Sequence, residues 1–220
     1  MSAVTNTPSA AFAPADTGSV LQFKRRTIDS FLISLGGVAT VVLVVAGGLL
    51  SWGAGFSADY VDGELSSQNI TFPDAAALEA EGRTDLVEFA GQDLNTGAEA
   101  EAYASYIDGH LAGIGAGLTY AEMGVPESAA KDAVAAAVEA DSSDAQVAEL
   151  QAEVDTISGH RNSLFKGETL RGLLLTAFAW STVGQIAGYA AIGAFVAAAI
   201  MMVLVALGLR HHRKVVVMES

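Results

Sequence analysis

Two uninterrupted apolar runs frame this chain, Phe31–Trp52 and Gly172–Leu209, and neither contains an ionisable residue. Bilayer hydrocarbon is about 30 Å thick and a helix rises about 1.5 Å per residue, so about 20 apolar residues cross it. Both runs reach that length and predict two transmembrane helices. The second, 38 residues long, would extend about 57 Å as one helix and exceeds a single ordinary crossing. We therefore expect residues 187–209 in the bilayer and an apolar stalk helix over 171–183 projecting from it. The junction Gly184-Gln-Ile-Ala-Gly188 is a GxxxG.

Small residues recur within the runs. Gly36 and Thr40, then Gly47 and Ser51, stand four apart on the first, while Gly184, Gly188, Ala190, Ala194 and Ala198 form the corresponding set on the second. In lipid no hydrophobic force drives helices together, so small side chains that allow close approach mark packing faces. We expect these nine positions to pack helix on helix.

The pattern between the runs is helical with interruptions. Ile70 and Phe72 alternate with polar neighbours in a short extended segment, and Pro73-Asp74 announces a helix that Gly82 breaks. Tyr103, Tyr106, Ile107 and Leu111 fall near helical spacing over 98–112, which the glycines from Gly113 to Gly117 end. Pro126 suits the first turn of a helix over 126–140, with Val134 and Val138 four apart. Ser143-Asp-Ala-Gln146 has capping-box form, and Val147, Leu150, Val154 and Ile157 follow at steps of three, four and three. The two helices suit an antiparallel hairpin with a Val/Ala/Leu seam; dimerisation through the same stripe is the alternative.

Charge sharpens the picture. The whole chain carries −14, but Ser57–Glu168 holds 22 acidic residues against four basic ones, a net −18. Cations gather outside the apolar runs instead: Lys24, Arg25 and Arg26 before the first; Arg210, Arg213 and Lys214, with His211 and His212, after the second. Flanks of this kind face the cytoplasm. Both termini are then cytoplasmic, and the acidic middle lies on the outer face of the cell membrane. The expected layout is a disordered cytoplasmic tail with a basic flank over 1–30, a first crossing over 31–53, an extracytoplasmic helical domain over 54–186, a second crossing over 187–209 and a basic tail over 210–220. A cleaved signal peptide is the competing account of the first run. Its 22 residues exceed the usual apolar core of about 7–15, and no A-x-A site follows Trp52.

No catalytic signature stands out. The chain has no cysteine, so neither disulfides nor thiolate ligands are available. G-x-S-x-G, H-E-x-x-H and the P-loop are absent, and Gly113-x-Gly-x-Gly117 lacks the strand–turn–helix setting of a dinucleotide site. Asp141-Ser-Ser-Asp144 with Glu139 is the densest acidic group but lacks a calcium loop's spacing. His110, with Asp108 and Glu101 nearby, is the one weak metal-ligand candidate, and residues two apart on a helix point to different sides. Ion or proton conduction would call for intramembrane charge, which both runs lack.

Several segments resemble a family of small bacterial two-pass membrane proteins labelled "aromatic ring-opening dioxygenase LigA". They are Ser51-Trp52-Gly53; Leu65-Ser-Ser-Gln-Asn-Ile-Thr-Phe-Pro-Asp-Ala75; Tyr106-Ile-Asp-Gly-His-Leu111; Leu118-Thr-Tyr-Ala-Glu122; and Arg161-Asn-Ser-Leu-Phe-Lys-Gly-Glu-Thr-Leu-Arg171. Together they span about half the chain, and the Ala-rich stretch 127–158 looks like an insertion. The resemblance implies a two-pass architecture. It does not imply the label's reaction, because extradiol ring opening uses two imidazoles and a carboxylate on a metal, and the middle segment has only His110 and His160.

The expected class is therefore mainly α, with two transmembrane helices and an acidic, helical extracytoplasmic domain between them. The expected role is non-enzymatic: an assembly or accessory component of an envelope complex, without cofactor, partnered by the lipid bilayer and by its own copies or other membrane proteins, and not by nucleic acid. An extracytoplasmic small-ligand or metal-binding module around His110 is the alternative.

Overall fold

The computed structural model describes residues 25–218, with side chains from Thr27 to His212. Residues 1–24 of the tail expected over 1–30, and the side chains of Lys24, Arg25, Arg26, Arg213 and Lys214 in the basic flanks, lie outside that description, while residues 25–30 are the start of a helix rather than disordered tail. The described chain is mainly helical: α1 (Arg25–Ser66), α2 (Ala75–Ala80), α3 (Gly97–Ala112), α4 (Gly124–Glu139) and α5 (Asp144–Met218), with short 3₁₀ turns at Thr84–Phe89 and Gly115–Gly117. Two of these helices, α1 and α5, are long and apolar enough to cross a membrane. Val42–Ala197 forms one compact unit, and the described residues on either side of it in sequence form another.

In the larger unit α1 and α5 pack side by side on small residues. A Cβ on Gly47 would stand 2.9 Å from the Phe195 ring, and one on Gly184 would stand 2.8 Å from the Ser57 side chain. In the smaller unit a Cβ on Gly36 would meet Val205 at 2.8 Å. Glycine is what lets the backbones approach so closely.

The segment between the long helices folds onto them. Asp74 Oδ1 accepts from the Ala77 amide at 2.8 Å and caps α2, which ends at Gly82 with φ +74°. Thr96 and Glu99 form a complete capping box at the start of α3. The extended piece at Ile70–Phe72 pairs with 92–94 through Phe72 N–H to Gln92 O (2.9 Å) and Leu94 N–H to Ile70 O (2.8 Å). A core forms where these elements meet, with Leu78 and Leu94 fully enclosed and Phe72 between Phe89 and Tyr103. Val61 and Leu65 of α1 and Leu174 of α5 belong to the same core.

Two expectations change in detail. The stalk is no separate helix, since Arg171–Val183 is an unbroken part of α5. It is also covered on one side only. Leu174 is 3% exposed, but Leu173 is 63% and Trp180 50% exposed, because a helix apolar all round offers a single packed domain only one face.

The hairpin joins α4 to the first turns of α5, reversing at Asp141 (φ +54°). Its α4 seam runs through Glu127, Ala130, Val134 and Ala137, steps of three, four and three, and leaves Val138 60% exposed.

Candidate functional site

Helix α3 places Tyr106 and His110 one turn apart, with ring centroids 4.5 Å apart in an edge-on arrangement. The Tyr106 carbonyl lies 3.1 Å from His110 Nδ1. That contact turns the other ring nitrogen outward, to 3.7 Å from Glu81 Oε2. The Tyr106 hydroxyl donates to Glu81 Oε1 at 3.4 Å. Burial, and then the Glu81 carboxylate, raise the Tyr106 hydroxyl's pKa, so it stays protonated as a donor. These residues line an open cavity of about 300 Å³ together with Arg83 and Gly109.

Arg83 is fixed at the back of this cavity. Its guanidinium donates to Asp85 at 2.7 and 3.0 Å, to the Ser105 carbonyl at 2.8 Å and to Ser105 Oγ at 2.9 Å. The Asp85 bonds raise the Arg83 pKa further. Gly109 leaves room for it, since a Cβ there would stand 3.1 Å from Arg83 Nη1. With its charge matched by Asp85 and its donors directed to Ser105, Arg83 braces the cavity wall.

The three residues singled out in the sequence separate. His110 faces Glu81, whereas Asp108 pairs with Arg171 of α5 at 3.4 Å. Glu101 is exposed on α3. Among the described residues no group of three or more His, Asp or Glu side chains could hold a metal ion. Glu81 is the partner that sequence reading missed. It lies 29 positions from His110 in sequence, and no local pattern links them.

A second polar node, also missed, ties the hairpin. Glu127 Oε1 accepts from Lys131 Nζ at 2.8 Å and from Ser158 Oγ at 2.9 Å, and its Oε2 accepts from Arg161 Nη1 at 2.6 Å. The Glu127 side chain is only 11% exposed. Lys131, then Arg161 and Ser158, hold its carboxyl down to about 2. Arg161 lies 4.4 Å over the Tyr120 ring and donates to the Tyr120 carbonyl at 3.3 Å. All groups in this node are matched to one another, which suits a structural tie. The Glu127–Lys131 spacing of four after Pro126 was its one local signal.

The small residues of the long helices divide as well. Gly36, Gly47 and Gly184 meet the neighbouring helix as described, and Gly188 faces Ala54. Ala198 is buried, Ala194 half-buried, and Thr40 bonds back to the Gly36 carbonyl at 2.8 Å. Ser51 and Ala190 are exposed. In the larger unit the contact follows steps of three and four through Gly47, Leu50, Ala54, Ser57 and Val61, so the position four beyond Gly47 rotates off the seam. Ser57 and Ala191, each 3% exposed, occupy it unannounced.

Comparison with protein families, with curated proteins and with solved structures gives no match to this chain.

Proposed function

We propose that the chain is a two-pass membrane protein of the cell envelope that serves as a non-enzymatic scaffold or accessory component, holding an acidic helical domain at a fixed place on the outer membrane face. In this account α1 crosses over 31–53 and α5 over 187–209, both termini are cytoplasmic, and 54–186 lies outside. The basic flanks and the −18 of the middle segment support that orientation. The resemblance to the two-pass family agrees with it.

One observation carries the scaffold reading. Val61 and Leu65 of α1 and Leu174 of α5, at 3%, 6% and 3% exposure, sit in the same core as Leu78 and Leu94. Within the larger unit both long helices run without a break into that core, which supports a domain packed on these helices rather than tethered to them. Such a mount suits a part that positions other proteins.

Two experiments test this proposal. Reporter fusions after Ser220 are expected to be active only in the cytoplasm, and fusions near Ala140 only outside; an externally active C-terminal fusion would sink the topology. Cross-linking mass spectrometry on intact membranes is expected to find a defined complex. A monodisperse monomer in gentle detergent, with no reproducible partner, would end the scaffold reading.

The cavity at His110 favours a second reading, a small-ligand module. Glu81 and Tyr106 accompany His110 there, a combination able to take a small polar molecule. A thermal melt that does not move across a panel of metals and metabolites would remove it.

A further inference from the structure

Past the outer end of its apolar run, α1 diverges in character from the helix beside it. Its ionisable residues begin at Asp59, whereas α5 stays uncharged back to Gly172. Between the two lies a groove of about 310 Å³. Val61, Leu65 and Leu174 form its floor and are buried; Tyr60, Leu173 and Trp180 stand at its sides, 51%, 63% and 50% exposed. In water such exposure of a leucine and two aromatic rings is unfavourable, so the groove suits an apolar cover.

The groove is continuous with the lipid-facing surface. On α1 the exposed rings of Trp52, Phe56 and Tyr60 stack in succession, with centroids 5.8 and 6.1 Å apart, and lead up to it. On α5 the exposed Val183 and Ile186 follow Trp180. On α5 no Asp, Glu, Lys or Arg lies between Gly172 and Leu209, and past the apolar run of α1 the first, Asp59, comes only at the head of the ring stack, so an acyl chain follows α5 from the bilayer without crossing a charged residue. At the other end Glu64 is the one charged residue lining the groove. A carboxylate in a groove that Tyr60 and Trp180 also line suits an ammonium group, which aromatic faces also attract. It repels a phosphate that carries no compensating cation. A second copy is a poor occupant, because a two-fold contact would bring two Glu64 carboxylates and two segments of −18 together.

We propose that this groove holds a membrane lipid with an ammonium-bearing headgroup, of the ethanolamine or choline type. Its chain lies on Val61, Leu65 and Leu174, and its ammonium stands at Glu64. The inference rests on the membrane reading above and specifies what the outer domain binds at its base.

Trp180 itself reports the occupant. In the Trp52→Phe variant it is the only tryptophan, and the full chain can be placed in nanodiscs containing phosphatidylethanolamine, phosphatidylcholine or phosphatidylglycerol with brominated chains. The ethanolamine and choline lipids are expected to quench Trp180 at mole fractions about fivefold lower than the glycerol lipid, a ratio in keeping with a cation–aromatic contact plus a carboxylate. Glu64→Gln is expected to abolish that preference while the circular dichroism spectrum is unchanged. Equal quenching by all three lipids means ordinary bilayer contact and overturns the proposal. So does unquenched Trp180, or Trp180 shielded by dimerisation. A chain that fails to enter nanodiscs condemns the membrane reading itself, a result distinct from the others.

Discussion

The Ser57 hydroxyl of α1 donates to the Trp180 carbonyl of α5 at 2.6 Å. Ser57 is 3% exposed and stands against Gly184, where a Cβ would come within 2.8 Å of it. The bond and the close approach depend on one another. Ser57→Ala is expected to cost about 1 kcal/mol, the usual net worth of an intramolecular hydrogen bond. Gly184→Leu, which must push the helices apart, is expected to cost about 1–3 kcal/mol. Unfolding titrations in mixed detergent check both values, and equal losses would mean that the close approach contributes nothing.

The same pairing can be trapped covalently, because the chain has no cysteine to interfere. A Cβ built on Gly188 lies 3.7 Å from the Ala54 Cβ, within the range of a disulfide at about 3.5–4.5 Å. Ala54→Cys with Gly188→Cys is expected to oxidise to an intramolecular disulfide, visible as a mobility shift reversed by reductant. Ser51→Cys with Gly188→Cys is expected to form none, since Ser51 is exposed and off the seam.

What the sequence makes legible, and what it hides, follows from the range of each interaction. The apolar runs and the starts of α2 and α4 rest on neighbours a few residues apart, so they show in the pattern. The stripe beginning at Val147, Leu150, Val154 and Ile157 was readable for the same reason. It continues through Arg161, Leu164, Gly167, Arg171 and Leu174, but two arginines on the seam disguise it. Their heads meet Glu127 and Asp108, partners remote in sequence. The candidate site was legible only as far as His110 itself. Asp108, its sequence neighbour, is committed to Arg171, and Glu81 arrives from another element.

Acid is expected to loosen the hairpin. The Glu127 carboxyl is held at about 2 against an ordinary 4.5, chiefly by Lys131 and then by Arg161 and Ser158. A carboxyl depressed on folding adds stability above its unfolded value, and that stability is lost as the pH falls through the folded one. The loss should therefore develop between about pH 4.5 and pH 2. Hydrogen exchange of α4 amides across that range is the measurement. Glu127→Gln is expected to raise exchange at pH 7 and to flatten the acid dependence; a variant with the wild-type profile would show that the node does not hold the hairpin.

Leu173 and Leu174 are neighbours in sequence with opposite surroundings. Leu174 is 3% exposed within the core that also contains Val61, Leu65 and Phe72, while Leu173 is 63% exposed beside the groove. Leu174→Asp puts an unpaired carboxylate into that core and is expected to cost about 3–5 kcal/mol. The residue lies outside the crossing proposed for 187–209, so insertion should survive while the outer segment becomes protease-sensitive. Leu173→Asp introduces the same charge one position earlier, where the side chain stands outside that core, and is expected to leave protease resistance at the wild-type level. Limited proteolysis of oriented membranes compares the two directly. Equal resistance in both variants would mean that α5 is not packed into the outer domain and that the domain is merely tethered, which would remove the observation on which the scaffold role rests.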